Sequence, residues 1–109
     1  MSITYNQWAQ SRDNNVTANT LFTLGADEQL IGVLKIVNNT NAGATCTVYW
    51  DNDGSTYDES TMYEAPFDIP PYGSVTITPI CMSTQDGTIG YKSSVANAIT
   101  ATLSGAKLT

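Results

Sequence analysis

Leu30-Ile31-Gly32-Val33-Leu34-Lys35-Ile36-Val37, stopped at once by Asn38-Asn39-Thr40-Asn41, is the stretch on which the fold turns. Its β-branched side chains lose freedom in a helix and fit a pleated surface. Gly32 inside the run and the Asn-rich stop behind it argue against a helix. A nearly continuous apolar run of this length predicts a central strand buried on both faces.

Downstream, Thr45-Cys46-Thr47-Val48-Tyr49-Trp50 alternates with a period of two. Cys46, Val48 and Trp50 are expected on one face, and Thr45, Thr47 and Tyr49 on the other. Asp51-Asn52-Asp53-Gly54-Ser55 reads as a turn. Residues 61–69 are strand-like, with Pro66 confining them to an edge or a bulge. Pro70-Pro71-Tyr72-Gly73 turns the chain into Ser74–Ile80. There Val75, Ile77 and Pro79 are expected opposite Thr76, Thr78 and Ile80. Residues 88–92 and 98–105 read as further strands, with Gln85-Asp86-Gly87 turning into the first of them. Upstream, Thr20–Leu24 is a short strand ending at Gly25. Residues 1–17 are polar, with Ile3, Tyr5 and Trp8 as their sources of burial.

The expected fold is therefore all-β: a β-sandwich or jelly-roll-like domain of about eight short antiparallel strands. Residues 1–17 are expected as an extended N-terminal arm with one short strand, docked through Trp8 on this domain or a neighbour, and residues 18–109 as the sandwich. A chain of 109 residues fits one such domain.

Composition narrows the function. Charged residues make up 13%, about half of the usual ~25%. The four cations, Arg12, Lys35, Lys92 and Lys107, are scattered, and the net charge is −6. Such a chain has no phosphate-neutralising stripe, so neither direct nucleic-acid nor anionic-membrane binding is expected. No apolar run approaches the ~20 residues of a membrane span. The start, Met-Ser-Ile-Thr-Tyr-Asn-Gln-Trp, lacks a cationic and an apolar leader segment, which points to a cytoplasmic origin.

Reactive residue types have structural explanations. Histidine is absent, which removes the commonest general base and metal ligand. Cys46 and Cys81 sit in strand-like segments and read as reduced, buried thiols. Asp51, Asp53, Asp58 and Glu59 have the oxygen chemistry that calcium takes, but their spacing fails the EF-hand loop, and turn geometry explains them. The sequons Asn15-Val16-Thr17 and Asn38-Asn39-Thr40 match by chance in so Asn- and Thr-rich a chain. No carboxylate pair stands out as glycosidase-like. Catalytic, cofactor and metal sites are thus expected to be absent, and the protein to be no enzyme.

The aromatic residues remain. Trp50 shares a face with Val48 and reads as core. Ile3, Tyr5 and Trp8 of the arm, and Tyr57, Tyr63 and Tyr72 in or beside loops, are the candidate protein-interface residues.

In its order of segments the chain resembles the small β-sandwich virion structural proteins of tailed bacteriophages. The resemblance spans residues 30–105. Its most telling parts are Ile69-Pro70-Pro71-Tyr72-Gly73 and Ser94-Val95-Ala96-Asn97-Ala98-Ile99-Thr100. It implies a capsid decoration (cement) protein, or a neck or tail accessory. Such a protein is a dimer or trimer that bridges subunits of the major capsid protein or other virion proteins, assembled in the host cytoplasm. A fibre-associated module binding host carbohydrate is the alternative, and predicts exposed aromatics grouped on one surface.

Overall fold

A computed structural model describes residues 2–109; Met1 lies outside them. Eight strands follow one another: β1 (Ile3–Arg12), β2 (Asn19–Thr23), β3 (Gln29–Asn38), β4 (Ala44–Asp51), β5 (Met62–Ile69), β6 (Ser74–Met82), β7 (Thr88–Ser93) and β8 (Ile99–Leu108). A single 3-10 turn, Glu59–Thr61, precedes β5. No α-helix occurs among the described residues.

The strand order is β1-β8-β3-β6 in one sheet and β2-β7-β4-β5 in the other, with every pairing antiparallel. The pairs β1–β8, β2–β7, β3–β6 and β4–β5 describe one long hairpin folded between β4 and β5. Rolling that ribbon adds the β8–β3 and β7–β4 seams. The result is a β-sandwich with the strand order of a jelly roll.

The two inner faces bury Leu30, Leu34, Ile36 and Leu103 from one sheet against Cys46, Val48, Ile89 and Tyr91 from the other. Each buried Leu or Ile contributes roughly 1.5–3 kcal/mol. Asn38 is also fully buried, at the end of β3. Its amide donates to the carbonyls of Ala42 (2.8 Å) and Ile69 (3.1 Å) and accepts from the Thr40 N–H (3.0 Å). The second sequon is therefore a corner brace that ties β3 to the end of β5.

Three expectations are corrected. First, β3 is central but buried on one face only: Leu30, Leu34 and Ile36 point inward, while Ile31 and Val33 are exposed. An antiparallel sheet of a two-layer sandwich has one solvent face, and here that face keeps apolar side chains. Second, Ile80 is buried and Cys81 exposed. Gly32 pairs with Ile80 but Leu34 with Ile77, so β6 carries an extra residue at Thr78-Pro79 that inverts the faces beyond it. Third, residues 3–12 are not an arm separate from the sandwich. They form the edge strand β1, paired with β8 along its whole length. The polar segment gains its main-chain bonds from β8, so it needs few apolar side chains to be placed.

Candidate interaction surface

The bulge in β1 falls at Trp8, because Gln7 pairs with Ser104 and Ala9 with Leu103. Trp8 therefore leaves the ladder and turns over β8. Its indole N–H donates to the Gly105 carbonyl (3.0 Å), and Lys107 Nζ lies 4.3 Å from the ring centroid. Gly105 and its register partner Gly32 present no side chain there. Lys107 continues to Glu28 (2.8 Å), whose other oxygen accepts the Gly25 N–H. The Lys107 hydrogen bond, aided by the Gly25 N–H, holds the Glu28 carboxyl below the ordinary carboxylate value. A depression of about 500 Å³ opens beside this cluster, lined by Asp27, Glu28, Gln29, Ser83, Gln85, Leu108 and Thr109.

Tyr57 is spent inside the fold. Its ring stands 5.5 Å from that of Tyr49, and its hydroxyl lies 2.7 Å from Thr20 Oγ1 and donates to Thr88 Oγ1 at 2.8 Å. Beneath it is Gly90, where a Cβ would come within 2.6 Å of the Tyr57 ring. Tyr63 packs edge-to-face on Trp50 at 5.2 Å and donates to the Pro79 carbonyl, joining β5 of one sheet to β6 of the other.

Three of the six candidate residues are openly exposed: Ile3 (55%), Tyr5 (78%) and Tyr72 (71%). Ile3 and Tyr5 lie at the Gln29 end of β3, and Tyr72 at its Asn38 end, so the two exposed tyrosines occupy opposite ends of the sandwich. Exposed aromatics grouped on one surface, the condition for stacking on a glycan, do not occur among the described residues. Tyr72 has a φ of +54°, a conformation costly for a bulky side chain.

The loop acids are held by their own loop. Asp51 accepts the Thr56 N–H (2.7 Å) and the Asp53 N–H (3.2 Å); Asp58 accepts from the Ser60 hydroxyl and from its N–H (2.8 Å). These bonds keep both carboxyls below the ordinary value. No three His, Cys, Asp or Glu side chains come together as a ligand set among the described residues. Burial pushes the Cys46 thiol up to about 12, which leaves it unreactive.

Scattered charges become ordered in space. Arg12, Lys35 and Lys107 all lie in the β1-β8-β3-β6 sheet, and none of the ten acids does. This sorting is not legible in the sequence, because three cations far apart in the chain come into one sheet only through the strand order. The solvent face of the same sheet carries a row in register across all four strands, Tyr5–Ala106–Ile31–Cys81, flanked by Ile3 with Leu108 and by Val33.

These features define a two-sheet jelly-roll domain with an apolar, acid-free outer face. No family model matches the chain, and no curated protein does. Among solved structures it is similar to a chain in the structure of infectious bursal disease virus Gx strain, with a TM-score of 0.51 and 13% sequence identity. The likeness covers 97% of this chain and 32% of that one, so this chain spans about a third of its length. What the two share is the fold.

Proposed function

We propose that the chain is a non-catalytic structural protein of a virion, of the capsid decoration type, in a tailed bacteriophage. The observation that carries the reading is the two-sheet fold, which is similar to a chain in the structure of a virus. Two features support it. The reactive groups are turned to structural use: Glu28, Asp51 and Asp58 are held charged by fixed donors, and Cys46 is buried. In contrast, Tyr72 is kept exposed at a backbone angle that glycine or asparagine adopts at less cost. Strained residues cluster at functional and contact sites, and in this reading Tyr72 is such a contact.

In this reading the chain bridges subunits of the major capsid protein, adding buried area at each junction. Many such contacts stabilise the shell by mass action. The neck or tail position is the other location the same fold serves.

The test is reconstitution. Purified chain added to shells lacking it binds in stoichiometric amounts and raises their melting temperature. Tyr72→Asn raises the melting temperature of the isolated chain yet weakens shell binding. Absence of the chain from purified particles would end the proposal.

A further inference from the structure

We infer that β1 is an interface: its N-terminal half pairs antiparallel with the same segment of a second copy, joining two four-stranded sheets into one of eight. The inference does not rest on the virion reading and can fail or stand without it.

The free backbone groups come first. Ser2 and Thr109 exchange both main-chain hydrogen bonds, N–H to O at 2.9 and 3.0 Å. That bond pair fixes the phase of the ladder, because bonded and non-bonded pairs alternate in antiparallel sheets. Thr4 and Asn6 therefore bond to β8, while the N–H and C=O of Ile3, Tyr5 and Gln7 point to the open edge. The Gln7 N–H is taken by the Asn6 side chain at 2.9 Å. Ile3 and Tyr5 are left with both groups free.

These two residues are self-complementary. With Thr4 facing Thr4 across a two-fold axis, Ile3 of each copy lies opposite Tyr5 of the other. Four main-chain hydrogen bonds form, and two Ile–Tyr cross-strand pairs lie on the solvent face. The Tyr5–Ala106–Ile31–Cys81 row of each copy then continues into the Ile3–Leu108–Gln29 row of the other across the seam.

The other three edges are closed to such pairing. β2 has five residues and a bulge at Leu21. β5 carries Glu64, Pro66, Asp68 and two register breaks. β6 is interrupted at Thr78-Pro79. Short strands, prolines, charges and bulges are the usual means of blunting an edge. β1 also bulges, at Trp8, but Ile3–Gln7 before it is regular, uncharged and free of proline. Residues 3–7 are exposed on both faces, so β8 alone holds them. A chain of net charge −6 meets its copy with least repulsion along the sheet that has no acid.

The experiment uses the full chain with Cys81→Ser, in which Thr4→Cys is placed on the predicted axis and Gln10→Cys beyond the bulge. Mild oxidation is expected to cross-link Thr4→Cys into a dimer and to leave Gln10→Cys monomeric. Equal cross-linking at both positions, or none at Thr4→Cys, overturns the register. Sedimentation from roughly 10 µM to 1 mM is expected to show a dimer, weakened about tenfold or more by Tyr5→Pro, since ~1.4 kcal/mol is tenfold in affinity. That proline removes only an edge N–H and spares the β8 ladder, so the melting temperature of the monomer is retained. Tyr5→Lys checks the same point without a backbone change. A chain that stays monomeric at 1 mM overturns the proposal. So does a dimer that survives both Tyr5 variants but is lost on Ile31→Lys, because that result places the contact on the sheet face.

Discussion

The two sheets share one core and differ in how they meet solvent. Outside β2-β7-β4-β5 lies a second cover: Tyr57 packs on Tyr49 and over Gly90, and its hydroxyl ties β2 to β7 through Thr20 and Thr88. Thr47 and Tyr49, on the outer face of β4, are both only 6% exposed. The sheet β1-β8-β3-β6 has no cover, and Ile31, Val33 and Tyr5 stand in solvent. One outer face is finished within the monomer, and the other is left with apolar side chains that nothing in the monomer uses. Exposed apolar side chains gathered in a patch mark contact surfaces more often than scattered ones do.

The contrast can be broken at its glycines. Gly105 has a φ of +146°, and a Cβ there would meet the Ile31 carbonyl and Gly32 Cα. Gly105→Ala is expected to destabilise by about 3 kcal/mol or more, read by chemical denaturation, because both φ and space forbid the side chain. Gly90→Ala comes next, at about 2–3 kcal/mol, since the methyl must displace the Tyr57 ring and meets the Asn19 carbonyl at 2.8 Å. Tyr57→Phe isolates the hydroxyl's part of that cover, at about 1 kcal/mol. In the double variant the two losses should fall short of additive, because both act on one contact.

A titration sharpens the same comparison. Asp51 and Asp58 serve the loop that carries Tyr57, and their folded values lie below the ordinary one. Their stabilisation is therefore present above the unfolded carboxylate value of about 4 and is lost as pH falls through the folded values. The melting temperature is expected to hold from neutrality down to roughly pH 5 and to fall below about pH 4. In an Asp51→Asn/Asp58→Asn variant the fall should be shallower, and an unchanged profile would remove these carboxylates from the account. The smallest effect is expected on the bare face: Val33→Thr should alter monomer stability by less than about 0.5 kcal/mol.

Much of the fold was legible in the residues, and the exceptions have physical causes. All strands beyond residue 17 lie where alternation and turn residues place them, from β2 near Thr20–Leu24 to β8 near residues 98–105. Bulges carry no local signature, so the inversion at Thr78-Pro79, which buries Ile80 and exposes Cys81, was invisible. The apolar run of β3 reads as two-faced burial because sequence does not tell an unfinished face from a buried one. The full length of β1 and its place in the sheet are not legible, because a strand held mainly by main-chain bonds needs no apolar pattern. Of the candidate contacts, Ile3, Tyr5 and Tyr72 stand exposed, although Ile3 and Tyr5 read as sources of burial for their segment. Tyr57 and Tyr63 read as loop residues open to contact because Gly90 and Pro79, which receive them, are remote in sequence.

The ribbon that pairs β1 with β8 also sets a timetable. Trp8 and Gly105, which share a hydrogen bond, are 97 positions apart. Of the eight strands β1 leaves the ribosome first, yet its neighbour in the sheet is β8, the last of the eight to be made. Until β8 is made both edges of β1 are open, and closing so distant a pair is a slow event. During that interval an identical β1 on a neighbouring nascent chain competes with the chain's own β8.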